Sequence, residues 1–208
     1  MTHRRIPQVS SRKEPKQSRS AGLVATILEA AAQVLAKEGA ARFTTGRVAE
    51  RAGISIGSLY QYFPNKAAIL FRLQSDEWRR TRDMLRSILQ DAEKTPAVRL
   101  RILVNEFIRS ECEEAQMRGA LSDAAPFYRD APEALEARAA GEEVFHRFMH
   151  EVMPDVAGEK RQLAGDLLST TLSAFGRDFS ATPRTAAEIK IYADALADMF
   201  TAYVQGAV

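Results

Sequence analysis

The residues best suited to chemistry in this chain lie between Thr44 and Lys66, in the run TTGRVAERAGISIGSLYQYFPNK. The chemistry they suit is hydrogen bonding to base edges and phosphates. On a helical wheel at about 100° per residue, Ser55, Gly57, Ser58, Gln61 and Tyr62 fall on one side, and Ile56, Leu59, Tyr60 and Phe63 on the other. The first side is short, polar and nearly uncharged, with Lys66 just beyond its end. A helix in a major groove needs small residues for close approach, hydrogen-bonding tips for bases and a cation for phosphate. Ser55, Gly57, Ser58 and Gln61 are therefore candidates for base contact. Thr44, Thr45, Arg47, Tyr62 and Lys66 are candidates for phosphate, and Tyr60 stands at the border of the buried side.

The elements that must position this helix are legible in the same run. Thr44 can cap a short helix, Val48, Ala49 and Ala52 give that helix an apolar side, and Gly53 supplies the left-handed residue that stops it. Ser55 caps a second helix, which Pro64 closes. Two short helices around a tight turn form a helix-turn-helix, although the bare pattern also fits an ordinary helical hairpin with a solvated face. The wording narrows the choice. AERAGIS-IGSLYQYFPNK resembles the second and third helices of TetR-family transcription regulators, with turn, recognition helix and Tyr-Phe-Pro-Asn-Lys exit in order. The resemblance spans residues 20–75. It departs at Gly46, which weakens the helix by up to ~1 kcal/mol, and at Arg47. There the family commonly carries an acidic residue that would complete a capping box.

The resemblance implies an all-α fold of about nine helices: an N-terminal three-helix DNA-binding domain and a C-terminal helical domain for effector binding and dimerisation. It implies a ligand-responsive regulator, most often a repressor, bound to double-stranded DNA at a palindromic operator and released by a small-molecule effector. It also implies an effector pocket in the larger domain. The aromatics available to line one are Trp78, Phe107, Phe127, Phe145, Phe148, Phe175 and Phe179, residues that serve equally well as plain core.

Charge distribution agrees with a DNA-binding end. The net charge is only +2, yet residues 1–70 carry eleven Lys/Arg against four Asp/Glu, and residues 71–208 carry eighteen against twenty-three. A basic end on an acidic body suits an anion-binding module on a separate platform. Cys112 is the only cysteine, which excludes an intrachain disulfide and a cysteine-rich zinc site and fits a reducing cytoplasm. The start has a twin arginine without an apolar stretch after it, so no signal peptide is expected. No apolar run approaches about 20 residues, so no membrane span is expected either.

In chain order, residues 1–19 read as a disordered basic arm (Arg4, Arg5, Arg12, Lys13, Lys16, Arg19), residues 20–66 as the DNA-binding domain and residues 67–208 as the effector and dimerisation domain. Helices are expected over 20–39, 65–91, 96–118, 133–153, 159–178 and 184–205, with a short broken helix near 120–132. The last two present apolar stripes that fit a homodimer interface: Leu168 and Leu172 on one, Ile189, Tyr192, Leu196, Met199, Phe200 and Tyr203 on the other. One recognition helix reads too few bases for useful specificity, which also favours a dimer.

Enzyme chemistry finds little support. There is no Gly-rich phosphate loop and no G-x-S-x-G elbow, and no cofactor is expected. The alternative reading is a metal-dependent helical protein using Glu143, His146 and His150, spaced i, i+3 and i+7 with Glu142 nearby. Partly exposed histidines on a polar helix side explain the same spacing.

Overall fold

A computed structural model of the chain describes residues 8–10 and 18–207. Among these are nine α-helices, a single 3-10 turn and no strand. The helices are α1 (Ser18–Arg42), α2 (Thr45–Arg51), α3 (Ile56–Tyr62), α4 (Lys66–Leu89), α5 (Pro96–Glu113), α6 (Ala115–Ala124), α7 (Pro132–Val152), α8 (Gly158–Ser180) and α9 (Ala186–Ala207). The 3-10 turn is Ala125–Phe127. The all-α expectation with about nine helices holds.

The chain divides into two compact units. The first holds residues up to Trp78 together with Gln116–Arg138, and the second holds Arg79–Ala115 and the residues from Ala139 on. This division does not follow a 66/67 boundary. The reason lies in the first core. Ile27, Leu35, Phe43, Val48, Leu59 and Phe63 come from the expected three-helix segment over residues 20–66, but Ile69, Leu70, Leu121, Tyr128 and Ala134 are buried in the same cluster. Each large side chain so buried contributes about 1.5–3 kcal/mol, and three short helices alone supply too few of them. Val9 also enters this core at 2% exposure, Asn65 Nδ2 donates to the Gln8 carbonyl oxygen at 3.0 Å, and Ser10 Oγ donates to Glu133. Residues 8–10 thus dock on the first unit where a disordered arm was expected. Arg4, Arg5, Arg12, Lys13, Lys16 and the Arg19 side chain lie outside the described residues.

α1 carries a left-handed residue at Gly39 (φ 74°), where the sequence reading ends the helix. Over Ser20–Arg42 it is long and apolar enough to cross a membrane by length and composition. The core helix of a globular unit reaches the same length and composition. Ile27, Ala31 and Leu35 are fully buried in the first core, as in the core helix of a globular unit.

The expected helix over 96–118 is in fact two, because Glu114 leaves helical geometry (φ −104°, ψ 10°). No Gly or Pro marks the break. It falls where the chain passes from the second unit back to the first, so tertiary packing sets it rather than local propensity.

In the second unit α5 packs on α8 and α9. Its Leu100, Leu103, Val104 and Ile108 meet Phe148 and Met149 of α7, Leu168 and Leu172 of α8, and Leu196 and Phe200 of α9 in one cluster. A capping box opens α9. Thr185 Oγ1 accepts from the Glu188 amide at 3.2 Å, and Glu188 Oε2 accepts from the Thr185 amide at 2.8 Å. α5 and α8 approach closely at Gly176, where a Cβ would lie 2.8 Å from Glu111 Cγ and 3.1 Å from Phe107 Cε1. Gly176→Val is expected to destabilise the second unit by about 1–3 kcal/mol through overpacking, read as a lowered thermal midpoint. Gly119→Ala meets nothing within 4 Å and serves as the control.

Candidate nucleic-acid interface

The turn between α2 and α3 closes as the residue types require. Thr44 is extended at the N-cap of α2, and its Oγ1 accepts from the Arg47 amide at 3.3 Å. Gly53 takes φ 67°, a region costly for any residue with a Cβ. Its amide donates to the Glu50 carbonyl at 3.1 Å, and the Ile54 amide donates to the Ala49 carbonyl at 3.0 Å. That pair of bonds is a Schellman closure. Ser55 then caps α3, its Oγ accepting from the Ser58 amide at 3.0 Å.

The exposure of α3 differs from the wheel at Ile56 and Tyr62, and at Tyr60 on the border of the buried side. Leu59 and Phe63 are buried as expected, and Ser55, Gly57 and Gln61 are exposed with Ser58 half-buried. Ile56, placed inward from sequence, is 43% exposed, and Tyr62, placed outward, is 8% exposed. The two lie about 60° to either side of Leu59 at about 100° per residue, so a wheel alone cannot rank them. Tyr62 takes the inner place and packs into the first core. Tyr60 is 39% exposed, and its hydroxyl lies 3.1 Å from Thr45 Oγ1, which joins the outer edge of α3 to the first turn of α2.

The two candidate cations differ. Arg47 is ion-paired with Glu38 of α1 and lies 3.4 Å from the Arg42 carbonyl oxygen. Lys66 opens α4 with its Nζ 4.0 Å from the Phe127 ring centroid, a contact that leaves the charge unneutralised. Asn65 beside it caps α4, its Oδ1 accepting from the Ala68 amide at 2.9 Å. A Cβ at Gly57 would meet nothing nearer than Ser55 Oγ at 3.8 Å, so no packing among the described residues demands a glycine there.

The other expected sites are dispersed. Trp78 and Phe127 pack against the first core, and Phe107, Phe145, Phe175 and Phe179 belong to the second. Phe148 lines a cavity of about 510 Å³ in the second unit, beneath the turn from α4 to α5. There Arg99 is 4% exposed, pairs with Glu151, donates to the Leu89 carbonyl oxygen and lies 5.5 Å over the Phe148 ring. Sequence reasoning missed Arg99 because an arginine inside an apolar stripe reads as surface. The cavity also carries Lys94, Thr95 and Arg147.

Of the residues expected at a dimer interface, Leu168, Leu172, Leu196 and Phe200 are buried in the core of their own chain, and Ile189 packs against it. α8 and α9 turn these stripes toward α5. Tyr192, Met199 and Tyr203 stay exposed on α9, as do Ile191 of the same helix and Leu163 and Leu167 of α8.

Glu143, His146 and His150 do not converge on a metal. Glu143 pairs with Arg147 at 2.9 Å, His146 Nε2 lies 3.8 Å from Asp166, and His150 Nε2 lies 3.1 Å from the Arg161 guanidinium. Among the described residues no group of three metal-ligating side chains forms, and the Glu142 side chain lies outside them.

Comparison with known proteins agrees with this geometry. The family described as "Bacterial regulatory proteins, tetR family" matches residues 27–73, and the family described as "Tetracyclin repressor-like, C-terminal domain" matches residues 95–206. The nucleoid occlusion factor SlmA of Aliivibrio fischeri is 31% identical over 111 residues, which are 44% of this chain and 56% of that protein. The HTH-type transcriptional repressor KstR of Rhodococcus jostii is 27% identical over 138 residues, 66% of this chain and 63% of that one. The chain thus spans less than two thirds of the length of either relative. The structure of the fatty acid degradation regulator FadR from Bacillus halodurans superposes with a TM-score of 0.69 at 21% identity, covering 88% of this chain and 96% of that one, a likeness of fold. The C-terminal match alone covers more than half of the residues, and the chain belongs to the TetR family of bacterial regulatory proteins.

Proposed function

We propose that the chain is a ligand-responsive transcription repressor that binds a palindromic operator in double-stranded DNA as a homodimer. The observation that carries this reading is the outer face of α3. Ser55, Gly57 and Gln61 stand exposed on a short capped helix whose opposite side, Leu59 and Phe63, is buried. Backbone-close small residues flank one amide, which suits a base edge. Thr44, Thr45 and Lys66 flank that face as phosphate contacts. Arg47 joins them only by giving up Glu38, and the Tyr60 hydroxyl reaches phosphate together with Thr45.

The homodimer uses the outward faces of α8 and α9. Leu163 and Leu167 are 63% and 48% exposed, and Tyr192 and Met199 are 49% and 55% exposed. Ala195 and Ala202 lie between the last two and Tyr203 on an exposed side of α9, where small residues let a second copy approach. Two-fold pairing of these helices sets two α3 helices at successive major grooves, about 34–36 Å apart. An effector in the second unit releases DNA by preferring an arrangement that does not fit the operator, a population shift carried by α4. The cavity at Phe148 and Arg99 supports such a site for a small molecule with both apolar and polar surface.

Selection of bound fragments from random and genomic DNA tests the reading, and failure to retain any fragment at low salt would remove it. On the operator so found, Lys66→Ala is expected to weaken binding to all sequences alike and to lower the salt slope by about one unit. Gly57→Leu is expected to abolish operator binding while the thermal midpoint stays nearly unchanged; a large fall in that midpoint would make Gly57 a packing residue. Leu167→Glu combined with Met199→Glu is expected to give a folded monomer by sedimentation velocity that no longer binds the operator at nanomolar concentration. A variant that still sediments as a dimer would place the interface elsewhere.

A further inference from the structure

The lysine that follows the recognition helix rests on an aromatic ring from a distant part of the chain. Lys66 Nζ lies 4.0 Å from the centroid of Phe127, and both residues belong to the first unit. The ring face attracts the ammonium without neutralising it. A free lysine gives up rotamer freedom when it meets a phosphate, whereas one already held over a ring has given up much of it beforehand.

The ring is itself firmly mounted. Phe127 closes the 3-10 turn after α6, and the amides of Tyr128 and Arg129 both donate to the Ala125 carbonyl at 3.0 and 2.8 Å. Tyr128 is 1% exposed, with its hydroxyl 2.9 Å from Gln74 Oε1 and 3.0 Å from the Leu121 carbonyl oxygen. Gln74 Nε2 donates to Glu77 Oε2 at 3.0 Å, and Glu77 pairs with Arg118 of α6 at 3.0 Å. The Tyr128 ring lies 6.0 Å from Phe71. Positions 71, 74 and 77 of α4 therefore fix the turn that carries Phe127, and position 66 of the same helix carries the lysine.

We propose that Phe127 is a positioning residue for DNA binding: its ring holds the Lys66 ammonium in readiness for a phosphate of the operator backbone. Phe127 itself does not touch DNA. The proposal rests on the DNA-binding reading above and adds to it a residue some sixty positions beyond the helix-turn-helix.

A double-mutant cycle on operator affinity tests it. Phe127→Leu removes the ring face and keeps apolar bulk; it is expected to weaken binding about three- to fivefold with the salt slope unchanged, because no charge is lost. Lys66→Ala is expected to lower both affinity and slope. In the Lys66→Ala background, Phe127→Leu is expected to have no further effect, and Phe127→Tyr, which keeps a ring face, to restore wild-type affinity in the Lys66 background. Equal weakening by Phe127→Leu in both backgrounds would overturn the proposal, as would unchanged or tighter binding by Phe127→Leu alone. If Phe127→Leu fails to fold, Phe127→Met completes the same cycle. An operator bound tightly by the wild type but indifferent to Lys66→Ala overturns the lysine contact and leaves the DNA-binding reading standing; retention of no DNA by the wild type overturns that reading instead.

Discussion

A helix-turn-helix of three short helices cannot bury enough apolar surface to stand firmly alone, and the first unit is built around that shortage. Leu59 and Phe63, the inner side of α3, are fully covered only because α1 supplies Ile27, Ala31 and Leu35 and the start of α4 supplies Ile69 and Leu70. Even this is supplemented by residues from far along the chain, with Leu121, Ala124, Tyr128 and Ala134 closing the same core. A reading helix must keep its outer face bare for its ligand, so all of its anchorage comes from one side. The distant segment 116–138 makes that one side sufficient.

Polar groups fix how that segment sits. Gln74 and Glu77 are 8% and 5% exposed on α4, and they face Tyr128 and Arg118. Burying such groups is costly unless each finds a partner, and a chain of bonded groups tolerates little displacement. An apolar contact between α4 and α6 would hold the segment as strongly but leave its register free to slide by a turn. The hydrogen-bonded row selects one register. In the second unit Arg99 has the same character, a buried guanidinium tied to Glu151 and to the carbonyl end of α4.

The legibility of all this from sequence follows the range of the forces involved. Thr44, Gly53 and Ser55 act within a few residues of themselves, and caps and turn were readable. The choice between Ile56 and Tyr62 was not, because both sit at the margin of a helix of seven residues and only the neighbouring core decides between them. The break at Glu114 has no local signal at all, since it answers to a change of unit. Leu168, Leu172, Leu196 and Phe200 pack into the core of their own chain, and an apolar stripe in a sequence carries no label for its partner, whether α5 or a second copy. Val9 gave no warning either. A single valine in a basic, proline-bearing segment reads as solvated until Asn65 and Glu133 are seen to bracket it.

The ion pair between Arg47 and Glu38 bears on how such a protein would find its target. Affinity for arbitrary DNA comes almost wholly from phosphate neutralisation, and each cation spared from that task shortens the dwell on the wrong sequence. On the DNA-binding reading proposed above, a carboxylate on α1 that engages the arginine at the mouth of the helix-turn-helix would take one cation from that indiscriminate adhesion. The pair is partly exposed, so a phosphate would have to compete with Glu38 for the guanidinium rather than find it free.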